Sequence, residues 1–179
     1  MEQTREDTRV PSRPKPGRPT LLCFDGSDDA AAAIATAGEL LAPRAAVVLT
    51  VWEPVASWEP YDPATILTAP LSRLAANALA LDEIARDLAG ERAEHGAELA
   101  RTAGFQADGR SRQGKPWRII CEVAEELGAE PIVIGARGLG RVESALLGSV
   151  SVAVVTHAKR PVLVVPPPAG DARAHVPGE

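Results

Sequence analysis

GARGLGRVESALLGSV, residues Gly135 to Val150, follows a short apolar run, PIVI, and leads into SVAVVTHA. Its glycines stand apart, at Gly135, Gly138, Gly140 and Gly148. An ordinary turn does not need glycines at such separated positions. Glycines spread through a loop let backbone N–H groups approach an anion with no Cβ in the way. Beyond the loop, Val150, Ala153, Val154 and His157 fall along one side of a helix. Strand, glycine loop and helix in that order read as part of a strand-helix-strand unit.

The same alternation runs outward along the chain. TLLCF, Thr20 to Phe24, reads as a buried strand, and DGSDD supplies turn residues and helix caps after it. DAAAAIATAGELL reads as a helix that ends near Pro43, and AAVVLTVW, Ala45 to Trp52, as the second strand. Glu53 to Pro70 is a proline-broken loop, long for a compact domain, and such loops are often functional. A long helix follows over Leu71 to Ala103. FQADGRSR has the polar alternation of a third strand at a sheet edge. Pro116 suits the first turn of a helix whose apolar stripe is Ile119, Ile120, Val123, Ala124 and Leu127. PIVIG and PVLVV close the series as the fourth and fifth strands.

Strand and helix in strict alternation predict an α/β fold: a doubly wound five-stranded parallel sheet with helices on both faces. The continuous apolar runs agree, because such strands are buried on both sides. Ligands of these folds sit beyond the carboxyl ends of the strands, where the strand order reverses. DGSDD and the glycine loop both follow strand ends and are expected to meet there.

Composition narrows the function. The chain has 179 residues, 45% hydrophobic and 24% charged, with a net charge of −5. One globular domain is expected over 20–166, with disordered, proline-rich tails at 1–19 and 167–179. The acidic balance argues against a nucleic-acid partner but leaves a local phosphate site open. No apolar segment is long enough to span a bilayer, and the N-terminus has no apolar signal region. A cytoplasmic setting without a membrane partner is the expectation. Cys23 and Cys121 lie in apolar runs and read as buried free thiols, and no Cys/His cluster suggests a metal.

Three phosphate-binding patterns can be tried on the loop. A Walker A loop requires a lysine that is absent here. The dinucleotide fingerprint GxGxxG begins at Gly138 and Gly140 but meets Glu143 at its third glycine, and the loop comes late in the chain. The third is Gly135, two residues, Gly138, nine residues, Gly148 and Ser149. This spacing resembles the nucleotide-binding branch of the universal stress protein family. CFDGSDDA resembles the opening strand and acidic turn of that family, and LLGSVSVAVVTHAKRPVLVV its closing helix and strand. The likeness covers about Thr20 to Val165 and implies the adenine nucleotide α-hydrolase-like fold.

It also implies an ATP site. Carried over position by position, Gly135, Gly138, Gly148, Ser149, Val150 and Ser151 would surround the phosphates. A helix start there offers free N–H groups and a favourable dipole. Asp25 would contact the adenosine, and Val51 would meet adenine through its backbone. Mg²⁺ would travel with the phosphates. The likeness further implies a homodimer through PVLVV, since an unpaired apolar edge is a liability. Local readings stand beside these roles: Ser149 as a helix cap, Asp25 as a cap or turn residue, Arg137 and Arg141 as solvated loop charges. No general base accompanies the loop, so binding and regulation are expected rather than fast turnover. His95, His157 and His175 show no catalytic partner. Slow hydrolysis and a nucleotide-free interaction module are the alternatives. A phosphoacceptor receiver domain is disfavoured, because the last strand runs into PPP and Lys159 precedes it.

Overall fold

The computed structural model describes residues 17–54, 71–138 and 147–167, with backbone alone over 71–78. Among these residues five strands alternate with four helices. In order they are β1 Thr20–Cys23, α1 Asp28–Leu41, β2 Ala45–Trp52, α2 Leu71–Thr102 and β3 Gln106–Gln113. Then come α3 Pro116–Leu127, β4 Ile132–Gly135, α4 Ser149–His157 and β5 Val162–Val165. All pairings are parallel, and the sheet order is β3-β2-β1-β4-β5. The chain winds outward from β1 to one edge, returns, and winds to the other. The reversal lies between β1 and β4, so the two candidate loops leave neighbouring strands.

The two-residue period of the strands sorts the core into two layers. Leu22, Phe24, Val48 and Val133 face α1 and α2, against Ala33, Ile34, Ala97 and Ala100. Leu21, Cys23, Leu49 and Ile134 face the other way, against Ile120, Val123, Ala124 and Val154 of α3 and α4. Burying each large aliphatic side chain contributes about 1.5–3 kcal/mol. The alanines let α1 and α2 lie close to the sheet, and the α3 stripe matches the expected Ile120, Val123 and Ala124. β3 occupies the sheet edge expected from its polar alternation.

Some expectations are corrected. Cys23 is buried, but Cys121 is only partly so, because it sits on the flank of α3 rather than in its apolar stripe. Arg18 and Pro19 fall on the tail side of the expected boundary, yet both are tied to the domain. Pro19 O accepts from Glu130 N at 2.8 Å, and Arg18 pairs with Glu130 at 2.9 Å. The bulk of the two expected tails, and 55–70 of the long loop, lie outside the described residues. No helix among the described residues is long and apolar enough to cross a membrane.

Candidate functional site

The first wall of the site is the turn between β1 and α1. Gly26 adopts φ +89°, a conformation that L side chains rarely take, and so lets the chain reverse tightly. Ser27 is the N-cap of α1: its Oγ accepts from Ala30 N at 3.2 Å. Asp25 therefore does not cap the helix. Its Oδ1 accepts from Ser27 N at 3.0 Å and from Ser27 Oγ at 2.6 Å. Asp25 is thus a turn residue whose carboxylate has a fixed direction.

The second wall is built from β4, the glycine loop and the start of α4. Ala136 N donates to Val165 O, and Gly148 N to Ala136 O, each at 2.7 Å. Ser151 Oγ donates to Gly135 O at 2.8 Å, which commits its proton to the end of β4. The N-cap of α4 is Gly148, not Ser149, and it makes no side-chain cap bond. The first intrahelical bond runs from Val152 N to Gly148 O. The N–H groups of Ser149, Val150 and Ser151 therefore precede the helix's own hydrogen-bond ladder.

The glycines differ in what they need. A Cβ on Gly138 would stand 2.5 Å from Asp25 Oδ2, so the two walls touch there. A Cβ on Gly135 would crowd Arg137 O and Asp29 O, at 3.1 and 3.2 Å. Gly148 has φ −70° and ψ 156°, open to any residue. Its Cβ would meet only ordinary contacts, at 3.5 Å from Ala136 O and 3.7 Å from Arg137 Cα. Neither backbone strain nor internal packing calls for glycine at 148.

Between the walls lies a cavity of about 240 Å³ at the strand-order reversal. Asp25, Val51, Gly135, Gly138, Gly148, Ser149, Val150 and Ser151 all line it. Sequence reasoning missed a further set: Leu49, Pro116, Ile120 and Ile134 form an apolar end, and Phe24 and Ala30 complete the lining. Ile120 was legible only as a core position, since one stripe on α3 serves both the core and the cavity. Among the described lining residues the titratable groups are Asp25 and Cys23. Burial pushes the Cys23 thiol far up, with Cys121 and Asp25 adding to the shift, so it is a neutral wall.

Among the other candidates, those that are described do not line the cavity. Arg137 does not line it, and Arg141 and His175 lie outside the described residues. His95 packs on Phe24 at 6.0 Å between ring centroids, and His157 on Trp117 at 4.6 Å. Neither His nor Trp52 nor Trp117 is a lining residue. No group of three or more potential metal ligands occurs among the described residues. The arrangement suits a ligand with an apolar planar part and an anionic part. The apolar end offers contact area, and the helix start offers N–H donors and a favourable dipole.

Comparison with known proteins agrees with this geometry. The model of the universal stress protein family matches residues 18–166. A universal stress protein encoded in the QAH/OAS sulfhydrylase 3′ region of Thermus aquaticus is 33% identical over 151 residues. That alignment covers 81% of this chain and 96% of the relative. Two solved structures share the fold. A universal stress protein in complex with cAMP superposes with a TM-score of 0.55 at 24% identity, covering 83% of this chain and 95% of that one. The universal stress protein of Archaeoglobus fulgidus in complex with dAMP gives 0.57 at 21% identity, covering 84% and 98%.

Proposed function

The chain belongs to the universal stress protein family, and from that premise we propose that it is an ATP-binding regulatory protein. The nucleotide occupies the cavity between β1 and β4. Its triphosphate lies on Gly135, Gly138 and Gly148 and at the N–H groups of Ser149, Val150 and Ser151. Its adenosine lies toward Asp25, Val51 and the apolar end. The observation that carries this is the cavity lining, in which two separate loops and one helix start face a single space. Two proteins of the same fold, solved with cAMP and dAMP, support an adenine nucleotide.

The donor set fits the phosphates: glycine walls, and N–H groups ahead of the first helical bond. Mg²⁺ would be held by the phosphates and water, because it favours phosphate oxygens. When bound it would neutralise phosphate charge. The chain's own residues bind and orient; among the described lining residues there is no histidine or lysine to act as a general base. Cys23 stays protonated, and Asp25 Oδ1 is engaged by Ser27. Occupancy, rather than turnover, is therefore the output, and the protein acts in the cytoplasm. It works as a homodimer through β5, an apolar strand at the sheet edge.

The decisive experiment is the nucleotide content of gently purified protein, released by denaturation and identified by chromatography. Titration of the stripped protein with ATP and Mg²⁺ then follows. Bound or saturably binding ATP is expected. No nucleotide and no binding would reduce the glycines to turn formers and leave an interaction module.

A further inference from the structure

The contacts of Ser27 extend beyond its own helix. Its hydroxyl is shared between two jobs. It accepts from Ala30 N, which caps α1, and it donates to Asp25 Oδ1 at 2.6 Å. The Ser27 N–H donates to the same oxygen at 3.0 Å. A short O–H···O⁻ bond of this kind is charge-assisted and directional. With Oδ1 held from two sides, Oδ2 is turned toward the opposite wall, where a Cβ on Gly138 would stand 2.5 Å away. Gly26, at φ +89°, makes the sharp turn that brings Ser27 back onto Asp25. A continuous path thus runs from the start of α1 through Ser27 and Asp25 to the glycine loop.

We propose that Ser27 is a positioning residue of the nucleotide site: its hydroxyl fixes the Asp25 carboxylate in the direction that both seats the Gly138 wall and faces the cavity. This rests on the nucleotide reading above. Ser27 does not line the cavity itself. It acts through Asp25, so its loss changes affinity without removing a ligand contact. Its capping role is separable, because residues at an N-cap differ in how well they replace serine. Glycine retains most of the cap, alanine little of it, and threonine keeps both cap and hydroxyl.

The test uses the full chain, stripped of nucleotide, with ATP and Mg²⁺ as the probe. Ser27→Ala, Ser27→Gly and Ser27→Thr are each titrated by calorimetry and melted without nucleotide. Affinity is expected to follow the hydroxyl and melting temperature to follow the cap. Ser27→Ala and Ser27→Gly should both bind about tenfold more weakly, the share of one charge-assisted hydrogen bond that reaches the ligand. Ser27→Ala should melt lowest. Ser27→Thr should bind like wild type. If either variant lacking the hydroxyl folds and binds as wild type does, or if threonine fails to rescue, the positioning role is overturned. Failure of the wild-type chain itself to bind ATP is a different result, read in a different sample; it would sink the nucleotide reading and this role with it.

Discussion

Gly148→Ala separates a glycine kept for the ligand from a glycine kept for the fold. The N-cap dihedrals at 148, φ −70° and ψ 156°, are open to alanine, and the new methyl would meet Ala136 O at 3.5 Å. As an N-cap, alanine is poorer than glycine by under about 1 kcal/mol. Alanine also restricts the unfolded chain, which returns about 0.4–1 kcal/mol. The two terms nearly cancel, so the melting temperature should move by about 2 °C or less. Binding is a different matter. The methyl would add bulk to the cavity wall at the start of α4 and, on the nucleotide reading proposed above, hold a phosphate away from the N–H groups of Ser149 to Ser151. Losing one such charge-assisted bond costs about 1.5–3 kcal/mol, or about 10- to 100-fold in Kd. Calorimetric titration with ATP and Mg²⁺, beside a thermal melt, measures both quantities on one sample. A folded variant with unchanged Kd would refute the reasoning, and so would a melting temperature that collapses. Gly138→Ala is the contrast. Its methyl would strike Asp25 Oδ2 at 2.5 Å, so stability and affinity should fall together.

Other expectations follow from the core and its polar ties. Leu22→Ala removes a fully buried side chain from the α1–α2 layer. It should cost about 2–5 kcal/mol, lowering the melting temperature by roughly 5–15 °C. Ser151→Ala leaves Gly135 O without its 2.8 Å donor in a buried site. A loss of about 1–3 kcal/mol in chemical denaturation is expected. Burial raises the Cys23 thiol above its unfolded value, so the neutral form is favoured in the fold. That contribution is complete below the unfolded pKa of about 8.5 and declines above it, by up to about 1.4 kcal/mol per pH unit. Denaturation midpoints measured from pH 7 to 10 should fall less steeply in Cys23→Ala than in wild type.

The fold was legible because strands and helices announce themselves in different periods. Continuous apolar runs such as TLLC and IVIG fit strands covered on both faces, and the α3 stripe fits a helix. The glycine spacing and the Asp25 turn led to residues that share one cavity. What stayed hidden depends on distance in space. Ile120 reads as an ordinary core position until α3 is laid across β2 at the edge of the cavity. Ser27 reads as a cap, and nothing in DGSDD tells that its hydroxyl turns back to Asp25. Ser151 looks like a phosphate donor, yet its proton ties α4 to β4. Cys121 sits in an apolar run, but helical geometry rotates it to the flank.

The order β3-β2-β1-β4-β5 divides the sheet into two half-sheets that meet along a short seam. β1 registers with β2 from Thr20 to Cys23, but with β4 only at Leu21 and Leu22. The cavity straddles that seam. Asp25 and Val51 hang from one half, and Gly135 and Gly148 from the other. A molecule gripping both sides acts as a rivet: it ties together halves whose backbones share few bonds. At a hundredfold excess over its Kd, a ligand adds about 2.7 kcal/mol to the folded state. Filling the cavity would thus brace the two half-sheets against each other across their seam.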